Sequence, residues 1–468
     1  MIPDEIDVPH AVVRVLEEAG IEFVFGMPGG DTGRIFDALY DSTRIRTILV
    51  RHEQVGSIMA EMYGRLTGKP GVVMGQGIFL ACNALFGTLE AVKGASPMLL
   101  LADFTDMAPF QHHAPYQAGT GEHGNHDLRN LLASATKYTA AVYEPKQAMQ
   151  TIQLAIKHAT TGTPGPVAVV FGSRSFQGTV KTKGRPRVHA TDRVLAPTLL
   201  RPAAADVTRV AEALVASSSP VILAGNGVHA SRAWSELAAL ADLLAIPVAT
   251  TASGKSAIAD VHPLALGVFG NWGQAVANEV VSSADTVLVV GSRLAPTDTC
   301  FENPELLDAD RQTFLQIDVD ALNVGRHFPA ASAIVADARE ALAALVAEIT
   351  PRLTPAKRAA MQRRRAHLAE LKTLHRYFAE PEQQSDDVPL RPERVITELA
   401  RRLDERAVVT MDAGANRLYM THYFQCRGAG TVYQPSSIGG MGYALPWRRS
   451  WRRPSVTAWR CAATAASR

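Results

Sequence analysis

The sequence predicts an α/β protein made of three doubly wound parallel-sheet domains. Its 468 residues suffice for about three domains at roughly 150 residues each. Hydrophobic residues make up 47% of the chain and the formal net charge is only +2, which indicates globular domains with sizeable cores. Segments with helical spacing alternate with short apolar runs along the whole chain. This alternation is typical of parallel sheets wrapped by helices.

The first domain is expected over residues 1–180. Its opening segment "AVVRVLEEAG" has helical spacing and ends at Gly20. The apolar run "IEFVFGM" follows as a short buried strand, and "TILV", "PGVVMGQ" and "PMLLLAD" have the same character. Because helical segments separate these runs, the strands are expected to form one parallel sheet.

Two further domains are expected after a linker. The stretch "VKTKGRPRVHATDRVLAPTLLRPAAAD" is polar and rich in Pro and Arg, which is typical of a linker. A second doubly wound domain over 200–350 is predicted by "PVILAGNGV", "IPVATT", "ADTVLVVGS" and "TFLQIDVD". A charged helical segment with "AKRAAMQRRRAHLAELK" then leads to a third domain over 385–468. This third domain is expected to be incomplete, because such a domain needs roughly 100 to 150 residues.

Composition and charge argue against several classes of protein. The near balance of 47 basic and 45 acidic residues gives no reason to expect a nucleic-acid partner. The first residues lack the basic flank and apolar run of a secretory signal, and no apolar run is long enough to span a bilayer. A cytoplasmic protein without a membrane partner is therefore expected. Cys82, Cys300, Cys426 and Cys461 have no paired spacing, which fits a reducing compartment and argues against a structural zinc site.

The residues that suggest chemistry lie in "VFGMPGGDTGRIFDAL" and "RHEQVGSIMAEMYGRLTGKPGVV". In the first, Pro28 and the glycines around it place a tight turn between a strand and a helix, where open α/β sheets bind ligands. In the second, Glu53 follows the strand "RTILV" and begins a helix. A carboxylate backed by apolar residues there can keep a proton and share it with a ring nitrogen. The alternative is an ordinary acidic residue favoured by the helix dipole.

The order and spacing of these motifs resemble a known family. Strand, "GMPGG", helix, strand, "RHEQ", helix and the strand "TGKPGVV" resemble the pyrimidine-binding domain of thiamine diphosphate enzymes, particularly the acetolactate synthase large-subunit group. The segment "TTASGKSAIADVHPLALGVFGNWGQAVANEVVSSADTVLVVGSRL" looks like the middle domain of that group. "VVTMDAGANRLYM" and "SSIGGMGYALP" look like the opening of its diphosphate-binding domain. The resemblance covers nearly the whole chain up to Pro446.

The resemblance implies thiamine diphosphate as the cofactor and a 2-oxo acid as the small-molecule substrate. Glu53 would hold a proton against the aminopyrimidine ring, and the cofactor would take up the electrons released with carbon dioxide. Pro28 and Gly29 would lie against the pyrimidine through their backbone. Gln76 and Asn83 would also belong to the cofactor site.

The same resemblance implies a second half of the site. Gly414, Ala415 and Asn416 match the turn that approaches the diphosphate, where small residues allow close backbone contact. Met441, which follows Gly440, matches the apolar residue that holds the cofactor in a bent shape. In the family the two halves of one site come from different subunits. A homodimer or homotetramer is therefore implied.

Some stretches depart from the family pattern. A loop of small residues before Asn83 is expected, but the chain has Ile78, Phe79 and Leu80 in "GQGIFLACN", which leaves open whether pyruvate or a related oxo acid is the donor. Four histidines in the next polar segment have no standard zinc spacing, and a polar active-site loop is the preferred interpretation; they are His112, His113, His123 and His126. FAD binding by the middle domain is possible by analogy but unsupported, because the lone "GNGVHA" is a weak dinucleotide motif.

The last residues depart most strongly. In the family, "GGMGYALP" leads to a helix, a strand and a Gly-Asp-Gly whose Asp binds Mg²⁺, with an Asn further on. Residues 447–468 contain no Asp, Glu or Asn, so they offer no such oxygen ligands. Shifting plausible GC-rich codons for 459–467 by one nucleotide yields Val-Ala-Val-Cys-Gly-Asp-Gly-Gly-Phe. A frameshift near Pro446 is therefore hypothesised, and a short natural C-terminus that packs as a basic helix is the alternative.

Three functional hypotheses follow. The first is a thiamine diphosphate-dependent 2-oxo acid decarboxylase or carboligase of acetolactate synthase type, impaired by loss of its Mg²⁺ ligands. The second is a non-catalytic truncated product that still associates with an intact relative. The third is a nucleotide- or flavin-binding oxidoreductase that uses the middle domain, but it leaves "GMPGG" and "RHEQ" unexplained.

Overall fold

The computed structural model describes residues 4–196, 198–436, 438–444 and 458–461, the last of these as backbone only. The described residues form two compact units. The first runs up to Thr198 and includes Ser436–Gly440. The second runs from Leu199 to Pro435 and includes 441–444 and 458–461. The division into domains at 1–180, 200–350 and 385–468 stays a prediction.

The first unit is organised around a six-stranded, fully parallel sheet with strand order β3-β2-β4-β5-β7-β6. Its strands are β2 Phe23–Gly26, β3 Arg46–Leu49, β4 Gly71–Gly75, β5 Met98–Phe104, β6 Tyr138–Val142 and β7 Pro166–Gly172. The short strands β1 Glu5–Asp7 and β8 Thr179–Lys181 pair with each other in antiparallel fashion.

Helices cover both faces of this sheet, and so its central strands are apolar at nearly every position, with Asp103 near the end of β5 as the exception. In β5, Leu99 and Leu101 belong to one buried cluster, whereas Leu100 and Ala102 belong to the other. The helices of the unit are α1 Val8–Glu18, α2 Thr32–Tyr40, α3 Glu53–Thr67, α4 Gly77–Asn83, α5 Leu85–Gly94, α6 Leu128–Ala133, α7 Ala148–Thr160 and α8 Thr191–Val194.

The stretch expected as a linker is partly structured. It begins within β8 and contains α8. Gln153 of α7 donates through Nε2 to the carbonyl of His189 at 2.9 Å and to Thr191 Oγ1 at 3.0 Å, and Val188 is buried. The polar composition did not reveal these contacts, because they depend on partners far away in the chain.

The second unit contains another six-stranded parallel sheet, with strand order β11-β10-β9-β12-β13-β14. Its strands are β9 Pro220–Ala224, β10 Val248–Thr250, β11 Ala265–Val268, β12 Thr286–Val290, β13 Thr313–Asp318 and β14 Ala330–Val335. The helices around it are α9 Ala204–Ala216, α10 Asn226–Ala230, α11 Trp234–Leu244, α12 Ala275–Ser283, α13 Ala338–Ile349 and α14 Pro355–Leu374.

A small parallel sheet with strand order β16-β15-β17 completes the second unit. Its strands are β15 Val408–Met411, β16 Val432–Tyr433 and β17 Ala458–Cys461, and its helices are α15 Pro392–Arg402 and α16 Ala415–Tyr423. The hypothesised frameshift near Pro446 lies outside the described residues. Of the segment after it, the structure describes only the backbone pairing of β17 with β15.

These sheets confirm the predicted α/β class with parallel strands. The apolar runs chosen from the sequence coincide with strands β2, β3, β4, β5, β9, β10, β12 and β13. Within the described part of the chain, no helix combines the length and the apolar character needed to cross a membrane.

Candidate functional site

The first group of predicted site residues lies where strands β2, β3 and β4 end. Parallel strands place their carboxyl ends along one edge of the sheet, and ligands bind there in open α/β folds. Pro28 is exposed in the loop after β2, and Gln76 follows β4 directly. Glu53 is the first residue of α3, as predicted.

Glu53 is a buried carboxylate held in place by an amide. Its exposed fraction is 6%, and Asn83 donates from Nδ2 to Glu53 Oε2 at 2.8 Å. Asn83 is the last residue of α4, so the end of one helix orients the carboxylate at the start of another. The structure therefore brings together two residues that lie far apart in the sequence and were both predicted.

The glycine turn after β2 packs against the residue that follows β4. A Cβ on Gly29 would lie 3.2 Å from both Cβ and Oε1 of Gln76, a tight contact that would require a small shift of the Gln76 side chain. Gln76 also donates through Nε2 to Gln117 Oε1 at 2.5 Å. Sequence analysis missed Gln117, whose φ of 56° is unusual for a residue other than glycine.

Asp103, at the end of β5, is a second residue that sequence analysis missed. Its side chain accepts backbone N–H groups from Asp31, from Thr32 at 3.2 Å and from Gly77 at 2.8 Å. Burial raises the pKa of the Asp103 carboxyl, and the three backbone donors oppose that rise. An apolar strand followed by a single Asp was the only available signal.

The stretch "GQGIFLACN" is helical instead of forming a loop of small residues. Gly77–Asn83 make up α4, Leu80 is fully buried and Phe79 is 46% exposed. The sequence Ile-Phe-Leu-Ala lacks the turn residues that would interrupt a helix. Leu80 therefore contributes to the core, whereas Phe79 remains accessible.

The predicted diphosphate turn lies at the beginning of α16 in the second unit. Gly414 has a φ of 98° and precedes the first helical residue, Ala415. Asn416 donates through Nδ2 to the carbonyl of Ala413 at 2.7 Å, while its Oδ1 is buried and has no hydrogen-bond partner among the described residues. The left-handed backbone at Gly414 explains the glycine there.

Met441 and Gly440 have different environments. Met441 is 84% exposed, and the N–H of the next residue, Gly442, donates to Asp412 Oδ1 at 2.9 Å. A Cβ on Gly440 would overlap the ring of Phe86, so steric fit already requires glycine at that position. Met441 projects from a turn that Asp412 holds.

The segment before Gly440 is held by a buried glutamate of the first unit. The carboxylate of Glu90 accepts the N–H groups of Ser436 at 2.8 Å and Ile438 at 3.2 Å. Burial raises the pKa of Glu90. Arg65 adds a hydrogen bond from Nη2 to Ser436 Oγ at 2.6 Å.

The predicted set is thus divided between the two units. Glu53, Pro28, Gly29, Gln76 and Asn83 lie together at one sheet edge of the first unit, which also holds Gly440. Residues 414–416 and 441 belong to the second.

The histidine-rich segment follows β5. His112, His113 and His123 are exposed. Over the described residues, no group of three or more His, Cys, Asp or Glu side chains could hold a metal ion. In "GNGVHA" the glycines have a packing role, since a Cβ on Gly227 would lie 2.6 Å from Gly291 Cα.

Two domains of a known protein family match this chain, one in each unit. Residues 6–119 match the thiamine pyrophosphate enzyme N-terminal TPP binding domain. Residues 207–345 match the thiamine pyrophosphate enzyme central domain. The first match contains Glu53 and the glycine turn, and the second contains all six strands of the second six-stranded sheet.

Similar proteins extend this match to most of the chain. The probable acetolactate synthase large subunit of Methanocaldococcus jannaschii is 30% identical over 448 residues, which is 93% of this chain and 72% of that protein. The acetolactate synthase large subunits of Corynebacterium glutamicum and Lactococcus lactis are each 27% identical, covering 95% and 93% of this chain and 68% and 72% of those proteins. The chain therefore belongs to the thiamine pyrophosphate enzyme family and is similar to acetolactate synthase large subunits.

Proposed function

We propose that this protein is a thiamine diphosphate-dependent decarboxylase or carboligase of acetolactate synthase type, acting on pyruvate or a related 2-oxo acid. The observation that carries the proposal is Glu53, a buried carboxylate oriented by Asn83 beside the glycine turn. The names of the similar proteins support the choice of oxo acid. We propose that the protein acts in the cytoplasm as a homodimer and uses Mg²⁺ together with thiamine diphosphate.

The residues at the first sheet edge fit the aminopyrimidine half of the cofactor. Pro28 is exposed in the glycine turn, and the absence of a side chain at Gly29, where a Cβ would lie 3.2 Å from Gln76, leaves its backbone free to approach the ring. Glu53 provides a carboxylic acid group that can hold a proton against a ring nitrogen. Asn83 keeps that group in one orientation through its amide N–H.

The turn at Gly414 fits a diphosphate with its cation. The N–H groups of the first turn of a helix favour anions, and α16 begins immediately after Gly414. The buried Oδ1 of Asn416 is an acceptor without a partner in the described region, and amide oxygens suit hard cations. Exposed Met441 would complete this half with an apolar contact.

Each group has a distinct part in the reaction. When bound, thiamine diphosphate supplies the ring that accepts the electrons released as carbon dioxide leaves the oxo acid. Glu53 holds and returns the proton at the pyrimidine side. Because Glu53 itself is only 6% exposed, its hydrogen bonds are less weakened by water than those of an exposed carboxyl group.

The test uses the full chain and two probes. We expect thiamine diphosphate with MgCl₂ to bind in calorimetric titration, and pyruvate to be consumed with release of carbon dioxide. Thiamine lacks the diphosphate, so its binding tests the pyrimidine half of the site alone. If neither probe binds, the proposal is wrong.

Glu53→Gln is the decisive variant because it keeps the side-chain volume and removes the acid. Loss of a general acid lowers turnover by roughly 100-fold or more, while binding of thiamine diphosphate should change little. Glu53→Asp keeps the carboxyl and serves as the matched control. Unchanged turnover in Glu53→Gln would contradict the role given to Glu53.

Residues 447–468 contain no Asp, Glu or Asn and so offer no carboxylate or amide oxygen of these types to Mg²⁺, which favours a second candidate, a non-catalytic member of the family. Binding of both probes without consumption of pyruvate would support this candidate. Turnover by the wild-type chain would exclude it.

A further inference from the structure

We infer that Asp103 is the positioning residue of the cofactor site, because its one carboxylate fixes the spacing of the two loops on which the pyrimidine site is built. This inference rests on the proposed function. Asp103 lies at the end of β5, is 5% exposed, and is not one of the groups expected to touch the cofactor.

The first loop is held at the start of α2. The N-cap residue Asp31 makes no side-chain cap for its own helix, and the Asp103 carboxylate instead accepts the N–H groups of Asp31 and Thr32. Thr32 Oγ1 then donates to the carbonyl of Gly29 at 2.6 Å. Asp103 is thereby connected through Thr32 to the turn that contains Pro28 and Gly29.

The second loop is held at the start of α4. Its N-cap residue Gln76 also lacks a side-chain cap, and the N–H of Gly77 donates to Asp103 Oδ1 at 2.8 Å. Asn83, at the other end of this short helix, orients Glu53. Asp103 is thereby connected through α4 to the catalytic carboxylate.

Glycines occur where each loop meets Asp103. A Cβ on Gly30 would collide with the Asp103 carboxylate, and a Cβ on Gly77 would collide with the Asp103 carbonyl oxygen. Gly30 also has a φ of 54°. Asp103 therefore contacts both loops closely, the first through its carboxylate and the second through its backbone carbonyl.

One carboxylate capping two helices has an electrostatic reason. The N-terminal ends of helices carry partial positive charge and unsatisfied N–H groups. Hydrogen bonds from backbone N–H groups to an ionised acceptor are stronger than neutral ones. An isosteric amide has only one oxygen, so it can serve one loop but must place an NH₂ group towards the other.

Asp103→Asn is therefore the main variant, compared with Asp106→Asn. Asp106 is also buried, follows the same strand, and bonds to Arg174 instead of to either loop. Hydrogen exchange followed by mass spectrometry reports residues 28–32 and 76–80. We expect exchange in both loops to become about tenfold faster in Asp103→Asn and to stay unchanged in Asp106→Asn.

Calorimetric titration with thiamine diphosphate and MgCl₂ gives the functional readout. The expected result is affinity weakened about tenfold in Asp103→Asn, with little change in Asp106→Asn. Unchanged exchange in the two loops, or unchanged affinity in a wild-type chain that binds, would overturn the inference. If the wild-type chain does not bind, the proposed function fails and the exchange in the two loops alone decides the role of Asp103.

Gly30→Ala provides a second approach if Asp103→Asn fails to fold. The added methyl group pushes against the carboxylate from the side of the first loop and leaves Gly77 untouched. Alanine also strains the left-handed backbone at Gly30, so faster exchange in 28–32 is expected whatever the role of Asp103. Because the displaced carboxylate also accepts from Gly77, exchange in 76–80 should rise as well, and unchanged exchange in 76–80 would overturn the inference.

Discussion

Lys372 in α14 carries a partly buried ammonium group. Its Nζ donates to the carbonyls of Pro263 at 2.9 Å and His262 at 3.3 Å, and lies 4.5 Å from the centre of the Tyr377 ring. Burial lowers the pKa of Lys372 to about 8. Carbonyls and a ring face support the charge only partly, so the neutral amine is favoured at a lower pH than in water.

This lowered pKa predicts a pH dependence of stability. Between pH about 8 and the ordinary lysine pKa of 10.5, the unfolded chain keeps a proton on Lys372 that the folded chain has released, so the free energy of unfolding gains a positive slope with pH in that range. Lys372→Met should remove that contribution, as measured by urea unfolding at several pH values. Lys69→Met, at an exposed salt bridge with Glu22, is the control, and equal slopes in wild type and Lys372→Met would contradict the prediction.

At the scale of elements, helix α5 packs against α3 by means of a glycine. A Cβ on Gly87 would lie 2.5 Å from the carbonyl carbon of Ser57 and 2.7 Å from the N atom of Ile58. Backbone atoms cannot move aside as a flexible side chain can. The closeness of the two helices therefore depends on the missing side chain.

Gly87→Ala is expected to lower the free energy of unfolding by about 1–3 kcal/mol, the usual cost of overpacking. Gly33→Ala is the matched control, since Gly33 is also helical but has no atoms near the added Cβ. There alanine should stabilise the protein by about 0.5–1 kcal/mol through its higher helix propensity. Thermal or urea unfolding measures both changes, and opposite signs are the expected outcome.

At the scale of the whole molecule, a buried polar cluster joins segments of the second unit that are distant in the sequence. Lys255 and Asp260 are 1% and 3% exposed and form an ion pair at 3.2 Å. Asp260 Oδ2 also accepts the N–H of Cys426 at 2.9 Å and its thiol at 3.0 Å. Burial raises the pKa of the Cys426 thiol well above its usual range, so it remains a donor.

Asp260→Asn should destabilise the second unit strongly. Removing one partner of a buried ion pair costs about 3–5 kcal/mol, because the other charge stays buried and unpaired. The double variant Lys255→Met with Asp260→Leu should recover part of that loss. Asp242→Asn, which breaks the exposed pair with Arg365, should cost no more than about 1 kcal/mol, and urea unfolding that finds the two single variants equal would refute the prediction.

The parallel sheets and the start of α3 at Glu53 could be predicted because their signals are local. A strand buried on both faces must be apolar at nearly every position, and the residues that mark the beginning of a helix lie within a few positions of each other. The glycine turn after β2 is likewise visible as a run of small residues. The short strand β8 was missed, since its three residues are too few to show a periodic pattern.

The sequence by itself determined the fold class, the family and the glutamate on which the proposed chemistry depends, because motifs of adjacent residues indicate all three. Tertiary structure alone decided what holds them in place. Asp103, Gln117 and Glu90 bond to partners on other loops and helices, and nothing in their immediate neighbours marks them. Backbone N–H groups that are distant in sequence meet one carboxylate only when parallel strands bring their ends to the same edge of the sheet.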